Sequence, residues 1–466
     1  MPRPASPPYN LLNMRRRFFL QSATSAAVVA LTGCGGGGGG GTVAATGTDS
    51  AYTPPAAAPV AGTQQPLSAT ATPSAAAAYP FGARLDKYAA GIAPSQSAES
   101  MDTLLKTQYS AWKAARIVDA SSIVAGGYAV LFSNSSYMTV SEGMGYGMLL
   151  AALFAGHDPQ AQQLFDGLLA VVRARPAYAV IPFDPNGKYL NEWRINANGT
   201  SGGEGWSAMD GDLDIAMALL MADRQWGSSG TWNYLQEGKN TIEALKTWSM
   251  NPDGSTRGLP SAKNNRTSDY MIGHFRAFAA ATGDKLWDKA VDKAYKLLNR
   301  MQTVYSPVGL MPDFVMNTDN DDGAQPSTGY IGDGNDKEGY FWWNACRNPW
   351  RFSSDFVLSG DTRFQQITGR MIDFFQSSSK GDPANIGMGY ALDGTILMGG
   401  NFPGGNSAAY HGPICAGACV DARFQGFLDT MWNWNATHLT TGYYDSEIQL
   451  LSMAVASGNW WSTAKR

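Results

Sequence analysis

Eleven apolar stripes at the 3.6-residue period, joined by short connections, dominate this chain beyond residue 79 and restrict what it can fold into. They run over 97–118, 147–154, 160–172, 213–226, 234–248, 270–281, 284–301, 348–358, 362–375, 424–434 and 443–457. In the first, Met101, Leu104, Leu105, Tyr109, Trp112 and Ala115 share one face, the spacing of an amphipathic helix. Turn-forming runs such as Asp184-Pro185-Asn186-Gly187 and Asn251-Pro252-Asp253-Gly254 separate them. At Gly283-Asp284 and Gly360-Asp361, glycine can end one helix and aspartate cap the next. Without a sustained strand alternation, successive helix pairs predict an all-α toroid of helical hairpins. No Pro/Ser/Gly-rich break interrupts 80–466, so that span is expected to be one domain.

The residues before it are read differently. Arg15-Arg16-Arg17-Phe18-Phe19-Leu20 is a basic region of twin-arginine type, and the apolar run 23–31 is too short to span a bilayer. It ends in Leu31-Thr32-Gly33-Cys34, which resembles a bacterial lipobox. Residues 1–34 are therefore expected to be a lipoprotein signal peptide, with Cys34 the lipidated residue. The bland alternative is a plain signal peptide with a chance cysteine. Export follows from either reading, and a lipid anchor to the bacterial envelope, at periplasm or cell surface, from the first. Residues 35–79, rich in Gly, Ala, Pro and Thr, have too little apolar surface to offset chain entropy and are expected to form a disordered linker.

Composition excludes several classes. A net charge of −4 with 15% charged residues offers no basic field for nucleic acid. Neither a phosphate-binding loop nor a dinucleotide fingerprint occurs, so no cofactor is expected. With four His and no paired cysteine motif at zinc spacing, no metal is expected either. Cys346, Cys415 and Cys419 remain beside Cys34, and the last two are close enough to bridge if the intervening loop bends. A monomer is expected. The 14 Trp and 20 Tyr suit stacking on sugar faces in an exported protein, although core packing accounts for many of them.

Two segments carry the chemistry. Ser141-Glu142-Gly143-Met144-Gly145-Tyr146-Gly147-Met148 sets one carboxylate among glycines where a helical run begins. Ala208-Met209-Asp210-Gly211-Asp212-Leu213-Asp214-Ile215-Ala216 starts a second helix with a cluster of acids. Carboxylates converging from separate helix starts are what hydrolysis of a glycosidic bond needs, one protonating the leaving oxygen and another activating water or acting as nucleophile. The glycines around Glu142 are expected to leave space for a sugar, and apolar surroundings to keep its carboxyl protonated. Asp212 and Asp214 are expected to cap the helix or orient neighbours.

These segments resemble the SEGxGYGM motif and the A-[ST]-D-[AG]-D-x-x-[IM]-A motif of family 8 glycoside hydrolases, with Met209 in place of Ser or Thr. The resemblance extends over 80–463 and implies an (α/α)6 barrel with a long cleft across one end. It implies an inverting mechanism with Glu142 as proton donor and Asp210 contacting the sugar at the cleavage point. In one branch the base is an aspartate three residues before an arginine, but here that place is Asn344, in Asn344-Ala345-Cys346-Arg347. A neutral amide cannot take a proton from water. The second branch supplies the base from an inserted loop just upstream, which here is 317–339. Asp333 matches best, with Asp336 and Glu338 next and Asp319, Asp321 and Asp322 behind them.

Tyr146, Trp193, Trp206, Asp269, Tyr270, Trp343, Asn344 and Arg347 are the candidate substrate-binding residues, with Trp342 beside them. The expected activity is endo-cleavage of a β-1,4-linked glucan, cellulose-type or mixed-linkage. The alternatives are a chitosanase of the same family and a non-catalytic glycan-binding lipoprotein.

Overall fold

The computed structural model describes residues 76–132, 136–259, 262–329, 332, 336–397 and 406–464. The expected signal peptide, Cys34 and nearly all of the linker lie outside them. Twelve α-helices appear among the described residues: α1 Ala98–Arg116, α2 Ser141–Leu153, α3 Ala161–Ala174, α4 Met209–Trp226, α5 Tyr234–Ser249, α6 Ile272–Thr282, α7 Leu286–Arg300, α8 Asn348–Ser359, α9 Thr362–Ser378, α10 Ala408–Ala418, α11 Gln425–Thr437 and α12 Asp445–Ala456. The even-numbered helices touch in the closed order α2, α4, α6, α8, α10, α12 and back to α2. Each outer helix packs on the inner helix preceding it, with α1 completing the ring against α12. This is the expected (α/α)6 barrel.

Sequence patterning separates the two rings. Inner helices are the more enclosed: every residue of α2 is buried, as is all of α8 except Ser359. Outer helices such as α7 bury one stripe, here Trp287, Ala290, Val291, Ala294, Leu297 and Leu298. The eleven expected helices are all present, and Gly283 and Gly360 cap α6 and α8 in the left-handed region as anticipated. Asp361 caps α9 and Asp284 accepts from Leu286 N at 2.9 Å. Helix α10 was not expected, because Ala408–Ala418 is mostly small and apolar, carries Pro413 inside, and shows no stripe. Its formation also corrects the expectation of a loop between Cys415 and Cys419. Both are buried free thiols at one end of a helix.

The motif glycines have a different task from the one expected. A Cβ on Gly211 would lie 2.5 Å from the Ser141 carbonyl carbon, and one on Gly145 would lie 2.8 Å from the Asp214 Cβ. These two glycines let α2 and α4 cross backbone against backbone, while Gly147 faces Val130. Only packed protein fills the space beside them, so it is not room for a sugar.

Short antiparallel ribbons cover the end where the inner helices start. Ile117–Asp119 (β1) pairs with Tyr128–Val130 (β2), Tyr137–Val140 (β3) with Arg194–Asn196 (β4), and Asn264–Arg266 (β5) with Phe314–Met316 (β6). The last two deliver the segments entering α2 and α6.

Gly211→Ala is expected to destabilise the fold by about 1–3 kcal/mol in urea titration. Overpacking against the α2 backbone outweighs the helix-propensity gain of alanine, which is at most about 1 kcal/mol. An unchanged or higher midpoint would show that the two helices have slack.

Candidate active site

The starts of the inner helices meet at one end of the barrel, and a fully buried guanidinium lies between them. Arg347, just before α8, donates from one Nη to Glu142 Oε2 at 2.7 Å and to Asp210 Oδ2 at 3.0 Å. Its other Nη donates to Ser268 Oγ at 3.0 Å and to Asn344 Oδ1 at 2.9 Å. Arg266, at the end of β5, adds a second cation 2.7 Å from Asp210 Oδ2. Tyr443, entering α12, donates to Glu142 Oε1 at 2.9 Å, with its ring seated against Gly143. Residues far apart in sequence thus close on two carboxylates.

Similar burial leaves these carboxyls in opposite states. Glu142 is 1% exposed, and burial pushes it up to about 8 despite the opposing Arg347 charge. Asp210 is also fully buried, which raises it, but Arg266 and Arg347 together hold it down at about 2. At neutral pH the pair is one acid and one anion. Six helix N-termini aimed at this end add to the field that tolerates the anion.

The other acids of the cluster take structural roles. Asp212 accepts from Asn191 N and Ser207 Oγ, each at 2.7 Å, and burial raises it to about 7. Asp214 lies one turn below Asp210, binds Arg351 through both oxygens at 2.7 and 2.6 Å, and meets His274 at 2.9 Å. Neither caps α4, so of the two expectations orientation of neighbours is the one realised. Asp269 is brought to the centre: burial raises it to about 6, its Oδ1 makes no hydrogen bond, and Arg266 lies 3.8 Å away.

The aromatic candidates divide by burial. Tyr146 and Tyr270 are fully enclosed, so neither ring presents a face for a sugar; Tyr146 packs edge-on to Trp350. Trp193, Trp206, Trp342 and Trp343 are half-buried. The Trp193 carbonyl accepts from Ser141 N at 2.9 Å, which puts this residue beside Glu142. Trp206 stacks on Trp248, and Trp343 packs edge-on to Tyr410.

The loop acids divide as well. Asp319 pairs with Lys263 at 2.6 Å, and Asp321 with Lys293 and Lys296 at 2.5 and 3.1 Å. Asp322 is exposed, and Asp336 is an exposed partner of Lys337. Glu338 is fully buried and accepts from Gly332 N and Ser327 Oγ, both within its own loop. Asp333 lies outside the described residues.

Arg266, Tyr443, Ser268 and Asp313 escaped the sequence reading. Tyr443 lies at the start of an expected helix, but nothing local in the sequence ties any of the four to Glu142. No group of acids, histidines and cysteines suited to a metal ion occurs among the described residues.

The model of the family described as Glycosyl hydrolases family 8 matches residues 97–456. The chain belongs to that family. A beta-glucanase of Niallia circulans is 36% identical over 392 residues, covering 82% of this chain and 91% of the relative. An endoglucanase of Bacillus sp. (strain KSM-330) is 34% identical over 377 residues, 78% of each. The apo structure of a beta-1,3-1,4-glucanase from Paenibacillus sp. X4 superposes with a TM-score of 0.76 at 34% identity, covering 83% of this chain and all of that one. This family 8 enzyme is therefore similar to glucan hydrolases in sequence and in barrel along most of its length.

Proposed function

We propose that the protein is an exported, endo-acting, inverting glycoside hydrolase that cleaves β-1,4-linked glucan of cellulose or mixed-linkage type. The observation that carries the reading is the split pair on Arg347, a carboxyl at Glu142 pushed up to about 8 beside an Asp210 held at about 2. Glu142 is the proton donor to the leaving oxygen. Asp210, ionised at all working pH, holds the sugar at the point of cleavage. The names of the relatives support glucan as the substrate class.

The pair also says where the base is not. Glu142 and Asp210 each lie within 3.0 Å of a single Arg347 nitrogen. Inversion needs about 6.5–9.5 Å between its two carboxyls to seat the water. An aspartate that close, and that strongly held in its ionised form, is neither placed nor basic enough to activate it. The base therefore comes from elsewhere, and Asp333 of the 317–339 loop is the proposed residue. Its described rivals in that loop are bound to lysines, exposed, or committed to the loop itself. Half-buried Trp193, Trp206 and Trp343 are the proposed stacking residues and Asp269 the polar one, while Asn344 and Arg347 act on the sugar through the carboxyls they hold in place.

Glu142→Gln is expected to lower kcat by about 10²–10⁴-fold or more while leaving folding and polymer binding intact. The donor must carry its proton, so wild-type activity is present below the Glu142 pKa and falls as pH rises through about 8. Reducing-end assays on barley glucan, carboxymethylcellulose and chitosan read both effects. Chitosan as the sole substrate would make the enzyme a chitosanase. No turnover on any of the three would favour a glycan-binding protein.

Asp333→Asn is expected to lower turnover by about 10²-fold or more on every substrate. Azide should rescue it, giving a glycosyl azide of inverted configuration. Wild-type activity in Asp333→Asn with a collapse in Asp269→Asn would move the base to Asp269.

For location, the basic, apolar and Leu31-Thr32-Gly33-Cys34 sequence supports a lipid anchor at Cys34 in the bacterial envelope. The wild type is then expected to partition with membranes and Cys34→Ser to be released. A wholly soluble wild type cut elsewhere would leave an ordinary signal peptide.

A further inference from the structure

Asn344 is held between two charges, and it needs to be an amide for both contacts to form. Its Oδ1 accepts from Arg347 at 2.9 Å, and its Nδ2 donates to Asp313 Oδ2 at 3.0 Å. Asp313, just before β6, is 1% exposed. Its carboxylate also accepts from the backbone N–H groups of Trp342 at 2.9 Å, Asn344 at 3.1 Å and Ala345 at 2.7 Å. Both oxygens thus face N–H donors, an arrangement that suits a carboxylate and no neutral isostere, because an amide at 313 would turn an NH2 onto a donor. The segment 342–345 wraps this anion and delivers the Arg347 guanidinium at its end.

We propose that Asp313 is a positioning residue for the catalytic centre, whose buried carboxylate requires an amide at position 344 and through it orients Arg347 between Glu142 and Asp210. This rests on the reading of Glu142 as the acid, but the contact itself has an independent signature. A carboxyl at 344 would face Asp313 at about the same 3.0 Å. Two carboxyls that close share one proton and do not both ionise without cost. With the proton between them, the O–H of residue 344 replaces the Nδ2–H and the geometry survives. Once that proton leaves, like charges repel beside Arg347. Among the described residues, Cys346 and Tyr410 also lie near Asp313; both are pushed up by burial and remain neutral through the working range.

The test is Asn344→Asp in the full-length protein, with kcat and KM measured across pH. At about pH 5, where the pair holds its shared proton, the variant's kcat is expected at its own maximum. It should then fall about tenfold or more as the shared proton is lost, on the acid side of the Glu142 limb, while KM changes little. Melting gives a readout that needs no turnover. A pair whose folded pKa is raised above the unfolded value contributes stability at low pH that is lost as pH rises through the folded value. The variant should therefore melt progressively below wild type over the same interval. Asp313→Asn alone should lower kcat, and Asp313→Asn combined with Asn344→Asp should abolish the new titration, with coupling of about fivefold or more between the two changes.

An Asn344→Asp profile superimposable on wild type in both activity and melting would overturn the proposal. So would a new titration that persists in the double variant. Failure of the Glu142 reading appears separately, as retained activity in Glu142→Gln, and leaves the melting test untouched.

Discussion

The end of this barrel where chemistry is expected depends on one buried guanidinium. Arg347 touches side chains supplied by α2, by α4, by the segment entering α6 and by its own approach to α8. A planar fork with five donors can serve that many directions at once, whereas an ammonium is a single point charge. Removing one member of a buried ionic cluster costs about 3–5 kcal/mol, because the partners stay behind uncompensated. Arg347 therefore fixes the relative positions of inner helices that are not neighbours in the ring, and the substrate end is rigid before any sugar arrives.

Burial alone does not decide what each acid does; the count of cations does. Glu142 and Asp210 are equally enclosed, yet one is raised to about 8 and the other lowered to about 2. Asp210 has two guanidiniums and the Gly211 N–H, while Glu142 shares one guanidinium and takes a tyrosine O–H. Arg266 is the difference, and it arrives from β5, a strand of three residues. That short ribbon sets the protonation pattern.

Much of the fold was legible because outer helices must show a stripe to water and a stripe to the core. The other inner helices still carried a readable stripe, but α10, made mostly of small and apolar residues and interrupted by Pro413, carried none and passed unseen while its outer partner α11 did not. The motif glycines were visible, but their purpose was not. Gly145 and Gly211 face each other's helices, and sequence alone offers a sugar as readily as a backbone to fill the space. Glu142, Asp210, Asn344 and Arg347 stood out through local motifs. Arg266, Ser268, Asp313 and Tyr443 did not, since their meaning lies in contacts across up to 301 residues of chain, and no local pattern encodes those.

The same logic repeats one helical turn deeper. Asp214 follows Asp210 by four residues on α4, Arg351 on α8 follows its N-cap Arg347 by four, and the lower pair is bidentate at 2.7 and 2.6 Å. Residues four apart lie on one helix face, so two stacked ion pairs are the natural product of two such repeats. Their net contribution to stability is small, because desolvation consumes most of the Coulomb attraction. Their effect on register is not small. A one-residue rotation of α4 carries both aspartates about 100° away from both arginines and leaves four buried charges unpaired, with His274 losing its partner as well. At several kcal/mol for each unpaired ion, that exceeds the whole stability of a typical domain. The lower pair thus holds α4 in the single rotation that aims Asp210 at Arg347, and the active-site geometry is inherited from a contact that touches no substrate.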